Sequence, residues 1–145
     1  MNLRSLALAL AAALALAPAA RAADPGADFA EKAAKEKGAV KTPSGLVFKS
    51  ITEGTGAKPS ATSTVKVTYK GTFPDGKVFD QSRAPITFPL NGVIKCWTEG
   101  LQLMKVGGKA RLVCPPSIAY GAHGAGSAVP PNATLAFEVE LLGIQ

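Results

Sequence analysis

Residues 64–70, TVKVTYK, alternate regularly, with Val65, Val67 and Tyr69 on one side of an extended chain and Lys66, Thr68 and Lys70 on the other. This predicts a strand with one buried and one wet face. Residues 46–51 form a shorter strand candidate, closed by Glu53-Gly54-Thr55-Gly56. Pro74-Asp75-Gly76 then supplies a turn, and residues 77–81 the returning arm of a hairpin. Between 96 and 104 the period lengthens. Trp97, Leu101 and Met104 stand at i, i+4 and i+7, which predicts a short helix stopped by Gly107-Gly108. Alternation resumes in KARLVC (109–114), with Ala110, Leu112 and Cys114 on one face and Lys109, Arg111 and Val113 on the other. It returns in 133–142, where Leu135, Phe137, Val139 and Leu141 are expected inward and Thr134, Glu138 and Glu140 toward water. Residues 115–131 hold four prolines, three glycines and no period, and read as a long loop. Strands joined by turns and one short helix leave no room for repeated crossovers. The expected fold is α+β: a five- or six-stranded antiparallel sheet curved around one short α-helix.

Ahead of the strands, residues 28–37 are rich in Ala, Glu and Lys and end at Gly38, which favours a short helix on propensity. Only Phe29 and a few alanines supply an apolar stripe, so residues 23–44 are expected to be a solvated lead-in. Residues 1–22 place Arg4 before an apolar run, Leu6 to Ala17, and end in Ala20-Arg21-Ala22, the pattern of a secretory signal peptide. That run is shorter than the roughly 20 residues a membrane helix needs. The expectation is export without stable membrane insertion, to the periplasm first and the exterior second, with residues 45–145 as the working domain.

At 145 residues and 47% apolar content, the chain suits one domain. Without residues 1–22 it carries 14 basic and 10 acidic side chains, spread along the sequence, which argues against a nucleic-acid partner. Cys96 and Cys114 allow one intramolecular bridge; in an oxidising compartment a disulfide is expected, with two buried thiols as the alternative. His123 is the only histidine and neither cysteine has a partner at metal-ligand spacing, so no metal or other cofactor is expected.

Covalent catalysis lacks its parts. A nucleophile needs a base, and His123 stands alone in a glycine-rich loop. Asp80 is the one acid in a tight apolar context and has no evident second for paired-carboxylate hydrolysis. GGKAR lacks phosphate-loop spacing, and the cysteines lack the CxxC spacing of a thiol–disulfide enzyme. There remain five of the nine aromatics, Tyr69, Phe79, Trp97, Tyr120 and Phe137, on an inward strand face, at a helix start or in the long loop. They are either core or the walls of a pocket.

The stretches VTYKG (67–71), DGKVFDQS (75–82), VIKCWTEGLQLMKVGGKARLVCPPSIAYG (93–121) and PPNATLAFEVELL (130–142) resemble the successive signatures of FK506-binding-protein (FKBP) type peptidyl-prolyl cis/trans isomerases. The lead-in with GAVKTPSGLVFKSITEGTG (38–56) is similar to the exported bacterial branch related to macrophage infectivity potentiators. The resemblance implies an FKBP-like fold and a pocket in which Tyr69, Phe79, Asp80, Trp97, Tyr120 and Phe137 act in catalysis, with Trp97 as floor. It implies Ile86, Val93, Ile94 and Val129 as substrate- or macrolide-binding residues, Ile86 standing where the family often has a wall aromatic. The implied ligands are proline-containing exported polypeptides and macrolides such as FK506 or rapamycin. The long dimerisation region of that branch is missing, so a monomer is expected. A non-catalytic proline-peptide binding module or holdase chaperone on the same fold is the alternative.

Overall fold

The two longest alternating segments become neighbours. In the computed structural model, which describes residues 25–145, β3 (Thr64–Thr72) and β7 (Leu135–Ile144) run antiparallel from Val65 opposite Ile144 to Thr72 opposite Ala136. They lie inside one seven-stranded antiparallel sheet. Beyond β7 follow β6 (Lys109–Cys114), β2 (Val47–Thr52) and β1 (Ala39–Lys41). On its other edge β3 is shared: its last residues pair with β4 (Val78–Gln81) and its first with β5 (Ile86–Pro89). β1 and β5 are the strands the sequence pattern did not announce. One is three residues long and the other four, too short to establish a period. The segment read as a signal peptide lies outside the described residues.

The inner face of the sheet carries the core. Val65 and Val67 from β3, Leu112 from β6 and Leu135, Val139 and Leu141 from β7 are buried there. Across them lies α2 (Lys95–Leu101), burying Cys96, Trp97, Gly100 and Leu101. Gly100 permits the close approach, because a Cβ at that position would sit 2.7 Å from Leu112 Cδ2. The helix is shorter than its apolar period suggested. After Leu101 the chain tightens, with Leu103 N donating to Gly100 O and Met104 N to Leu101 O, and Met104 still reaches the core.

Two expectations fail on the outer face. The lead-in is not solvated: α1 (Pro25–Ala34) packs Phe29, Ala30 and Ala33 onto Val47, Val113 and Ala136. Those three strand residues form one cross-strand row, Val47 opposite Val113 and Val113 opposite Ala136. The contact is made by one ring and small side chains: Phe29 and the alanines. Next along the sheet, Glu36 accepts from Lys49 Nζ at 3.1 Å and from Arg111 at 3.4 Å, while the Arg111 guanidinium lies 5.4 Å from the centre of the Phe29 ring. Thr134 is also buried, not wet. It lies just before β7 begins, where the chain leaves the Pro130-Pro131 loop.

Cys96 and Cys114 form a disulfide, their Cα atoms 5.9 Å apart, tying the first turn of α2 to the end of β6. Closing a loop of this size stabilises the folded state by about 3 kcal/mol in the chain-entropy account. Unfolded without reductant, the described chain should present no free thiols, and two after reduction; two before reduction would contradict the bridge. Phe29→Ala should lower stability by about 1–2 kcal/mol, through lost apolar burial and the lost cation–ring contact. Urea unfolding measures it, and no change would mean that α1 contributes nothing to the fold.

Candidate active site

Six parts of the chain converge on one cavity of about 410 Å³ at the inner face. Alternation along β3 brings Tyr69 inward two residues after Val67. The hairpin return contributes Phe79 and Asp80, β5 contributes Phe88, and β7 contributes Phe137. Gly92, Val93 and Ile94 line it on the approach to α2, and Trp97 lies within the first turn of that helix. Tyr120 comes from the long loop. Gly71 makes room on β3, since a Cβ there would lie 2.7 Å from the Phe79 ring and 3.0 Å from that of Phe137.

Trp97 is the centre of an aromatic cluster. The rings of Tyr69, Phe88 and Phe137 stand nearly perpendicular to it, at centroid distances of 5.1, 5.4 and 5.5 Å. Edge-to-face contacts of this kind favour a fixed arrangement by about 0.5–1.5 kcal/mol each beyond burial. Phe79 meets Phe137 edge-on and is backed by Phe73, stacked at 4.9 Å. Trp97 Nε1 is buried with no hydrogen-bond partner among the described residues. The cavity is thus ring-walled and mostly apolar.

Its polar groups are few. The Tyr69 hydroxyl donates to Asp80 Oδ2 at 2.7 Å, and Asp80 Oδ1 accepts from Gln81 N at 2.8 Å. Ser82 Oγ accepts from Tyr69 N at 2.8 Å, fixing the base of the pair. Burial, then the hydrogen bond to Asp80 and the Asp80 charge, push the Tyr69 hydroxyl up to about 12. Burial and the Asp80 charge also raise Tyr120. Both phenols remain protonated donors at neutral pH. Ile94 precedes α2 as its N-cap, its carbonyl accepting from the N–H groups of Trp97 and Thr98. Its own N–H lies outside the helical ladder.

All six residues expected to act in catalysis border this cavity, with Val93 and Ile94. Two others do not. Ile86 is 41% exposed at the start of β5, and Phe88, two residues on, supplies the wall aromatic instead. Val129 is buried in the core, bridged to Ala125, and anchors the long loop from beneath. Sequence reasoning missed Phe88 and Gly92. Phe88 sits in a strand of four residues ending in proline, so no alternation exposed it. A larger groove of about 570 Å³ runs past Phe73 and Pro130 to Thr134, but it gathers no set of aromatic rings. His123 borders neither cavity. Among the described residues no group of three or more His, Cys, Asp or Glu could hold a metal ion, and no helix is long and apolar enough to cross a membrane.

Comparison with known proteins gives the same direction. Residues 55–142 match the family model of the FKBP-type peptidyl-prolyl cis-trans isomerase. The FKBP-type peptidyl-prolyl cis-trans isomerase FkpA of Aeromonas hydrophila is 52% identical over 123 residues, covering 83% of this chain and 46% of that protein. The macrophage infectivity potentiator of Trypanosoma cruzi is 47% identical over 121 residues, covering 81% of this chain and 62% of that protein. The crystal structure of a peptidyl-prolyl cis-trans isomerase from Pseudomonas syringae pv. tomato superposes with a TM-score of 0.79 at 42% identity, covering 83% of this chain and 90% of that one. The chain spans about half the length of the FkpA relatives it matches.

The folded chain holds the Tyr69 proton more tightly than the unfolded chain, whose phenol titrates near 10. The stability linked to that proton is therefore complete below about pH 10 and lost as pH rises toward about 12. Asp80→Ala should move both tyrosine titrations downward, Tyr69 further because it also loses a hydrogen bond. Phenolate absorbance follows this, and unchanged midpoints would dissolve the Tyr69–Asp80 pair.

Proposed function

The chain belongs to the FKBP-type peptidyl-prolyl cis-trans isomerase family, and on that premise we propose that it accelerates rotation about X–Pro peptide bonds in exported polypeptides. The observation that carries this is the Trp97 cavity: a ring-walled, mostly apolar recess with a few protonated donors at its rim. The cis and trans forms of an X–Pro bond differ by only about 0.5–1 kcal/mol, yet exchange takes tens to hundreds of seconds because rotation breaks amide resonance. The task is to lower a barrier, and no bond need be made or broken.

The planar amide is more polar than the twisted transition state, since twisting removes the charge separation that resonance provides. Moving the bond into a water-poor cavity costs the planar form more than the twisted one. Each ~1.4 kcal/mol of that difference is tenfold in rate, so a few kcal/mol suffice without a nucleophile. In this reading the proline ring seats on Trp97 between Tyr69, Phe88 and Phe137. The Ile94 N–H and the Tyr120 hydroxyl hold the flanking carbonyls, so that one side of the rotating bond is fixed. Asp80 acts through Tyr69, keeping its hydroxyl aimed and neutral.

Residues 45–145 are the isomerase domain in this reading, and α1 belongs to its folded body. Clients are proline-containing polypeptides, and FK506-type macrolides fill the same cavity. Export, foremost to the periplasm, is supported by the leader-like residues 1–22 and by a disulfide that suits an oxidising compartment.

The test is turnover of a short X–Pro peptide with and without FK506. The parent should be active and inhibited. Trp97→Ala, Phe137→Ala and Phe88→Ala should each lower kcat/KM by at least about tenfold, or ~1.4 kcal/mol, at temperatures where far-UV circular dichroism shows folded chain. Full activity in all three would sink the cavity assignment. No turnover by the parent, with peptide still bound, would leave a binding module. Because neither tyrosine changes protonation there, kcat should be flat between about pH 6 and 9.

A further inference from the structure

The disulfide ties down the short helical turn that carries the cavity floor. α2 is seven residues long, and helices that short do not hold themselves together in water. Its N-cap, Ile94, has no side-chain capping bond. Yet this first turn carries both Ile94 and Trp97. Cys96 falls between them, fully buried, and is bonded to the equally buried Cys114.

The other end of the bridge leads to Tyr120, which also lines the cavity. Cys114 closes β6, and Pro115 and Pro116 follow at once, each with φ fixed by its ring. The Pro116 carbonyl then accepts from Ala119 N at 3.1 Å and Gly121 N at 2.9 Å. Asn132 N donates to Gly121 O at 2.8 Å, holding the turn from its far side. Tyr120 is thus reached from Cys114 through a short, hydrogen-bonded segment with little freedom. Trp97 and Tyr120 are located from the same covalent link.

We propose that the Cys96–Cys114 disulfide is a positioning element of the cavity, holding the Trp97 floor and the Tyr120 rim at a fixed separation. Its catalytic consequence rests on the isomerase reading; its structural one does not. A bridge that acted only by restricting the unfolded chain would leave the folded cavity unchanged when removed. A positioning bridge would not, and misplacement of about 1 Å in such a site can cost up to about a hundredfold in rate.

Trp97 is the only tryptophan, so acrylamide quenching of its fluorescence reports the floor directly. The Cys96→Ala/Cys114→Ala double variant should show stronger quenching, and its kcat/KM on an X–Pro peptide should fall about tenfold, mainly in kcat. Glu36→Gln weakens the ion pairs of the α1 side and controls for lost stability away from the cavity; it should change neither readout. Parent-like quenching and turnover in a folded double variant would overturn the proposal. If the parent itself turns over no X–Pro peptide, the isomerase reading fails and the quenching result alone decides the positioning role. Should the double variant not fold, the parent can be reduced with dithiothreitol, which closes to its cyclic disulfide as the bridge becomes two thiols, and then re-oxidised with glutathione disulfide. Quenching that rises and recovers in step with the thiol count supports the proposal, and quenching that stays constant overturns it.

Discussion

Burial of the Trp97 indole against the inner face of the sheet is the contact on which both the core and the cavity depend. Trp97 is 4% exposed, yet it borders the cavity. It fills the space between a seven-residue helix and three strands while presenting a surface to whatever enters. Phe137 does the same from β7, also 4% exposed and also lining. Core and site are therefore one set of rings seen from two sides, and a change that loosens one disturbs the other. A substitution at Trp97 or Phe137 therefore acts on packing and on the cavity wall at once.

The rim answers a different need. Polar groups in an apolar recess are costly unless satisfied, and the Tyr69–Asp80 hydrogen bond satisfies two of them while keeping the carboxylate on the exposed side. The backbone of Tyr69 is held in turn by Ser82, whose N–H donates to the Tyr69 carbonyl at 2.9 Å and whose hydroxyl accepts from the Tyr69 N–H. Chemistry that needs only desolvation and alignment can be served by groups that never exchange a proton.

Where periodicity was long, the sequence was legible. TVKVTYK and the run before Leu142 predicted β3 and β7, their inward faces and the antiparallel sheet, because a strand with one face buried must alternate. The six aromatic and acidic residues bordering the cavity followed from the family resemblance, since spacing alone left them divided between core and pocket. What escaped had physical reasons. Phe88 lies in a strand too short to show alternation, and Ile86 drew attention only because it stood at an aromatic's usual place. α1 was misjudged because an alanine-rich stripe with one Phe looks too weak to bury, yet the face it meets is made of Val47, Val113 and Ala136. Thr134 was placed in water by extending the alternation of β7 to a residue that lies just before the strand begins.

The order of strands has a further consequence, for the time course of folding. Among the described strands β7 comes after the others in sequence but lies between β6 and β3, so a chain emerging amino-terminus first cannot join the two halves of this sheet until the ten residues of β7 arrive. Non-local pairings of this kind slow folding and leave strand edges open meanwhile. Cys96 and Cys114 both precede β7, so both thiols of the bridge are made before the strand that completes the sheet.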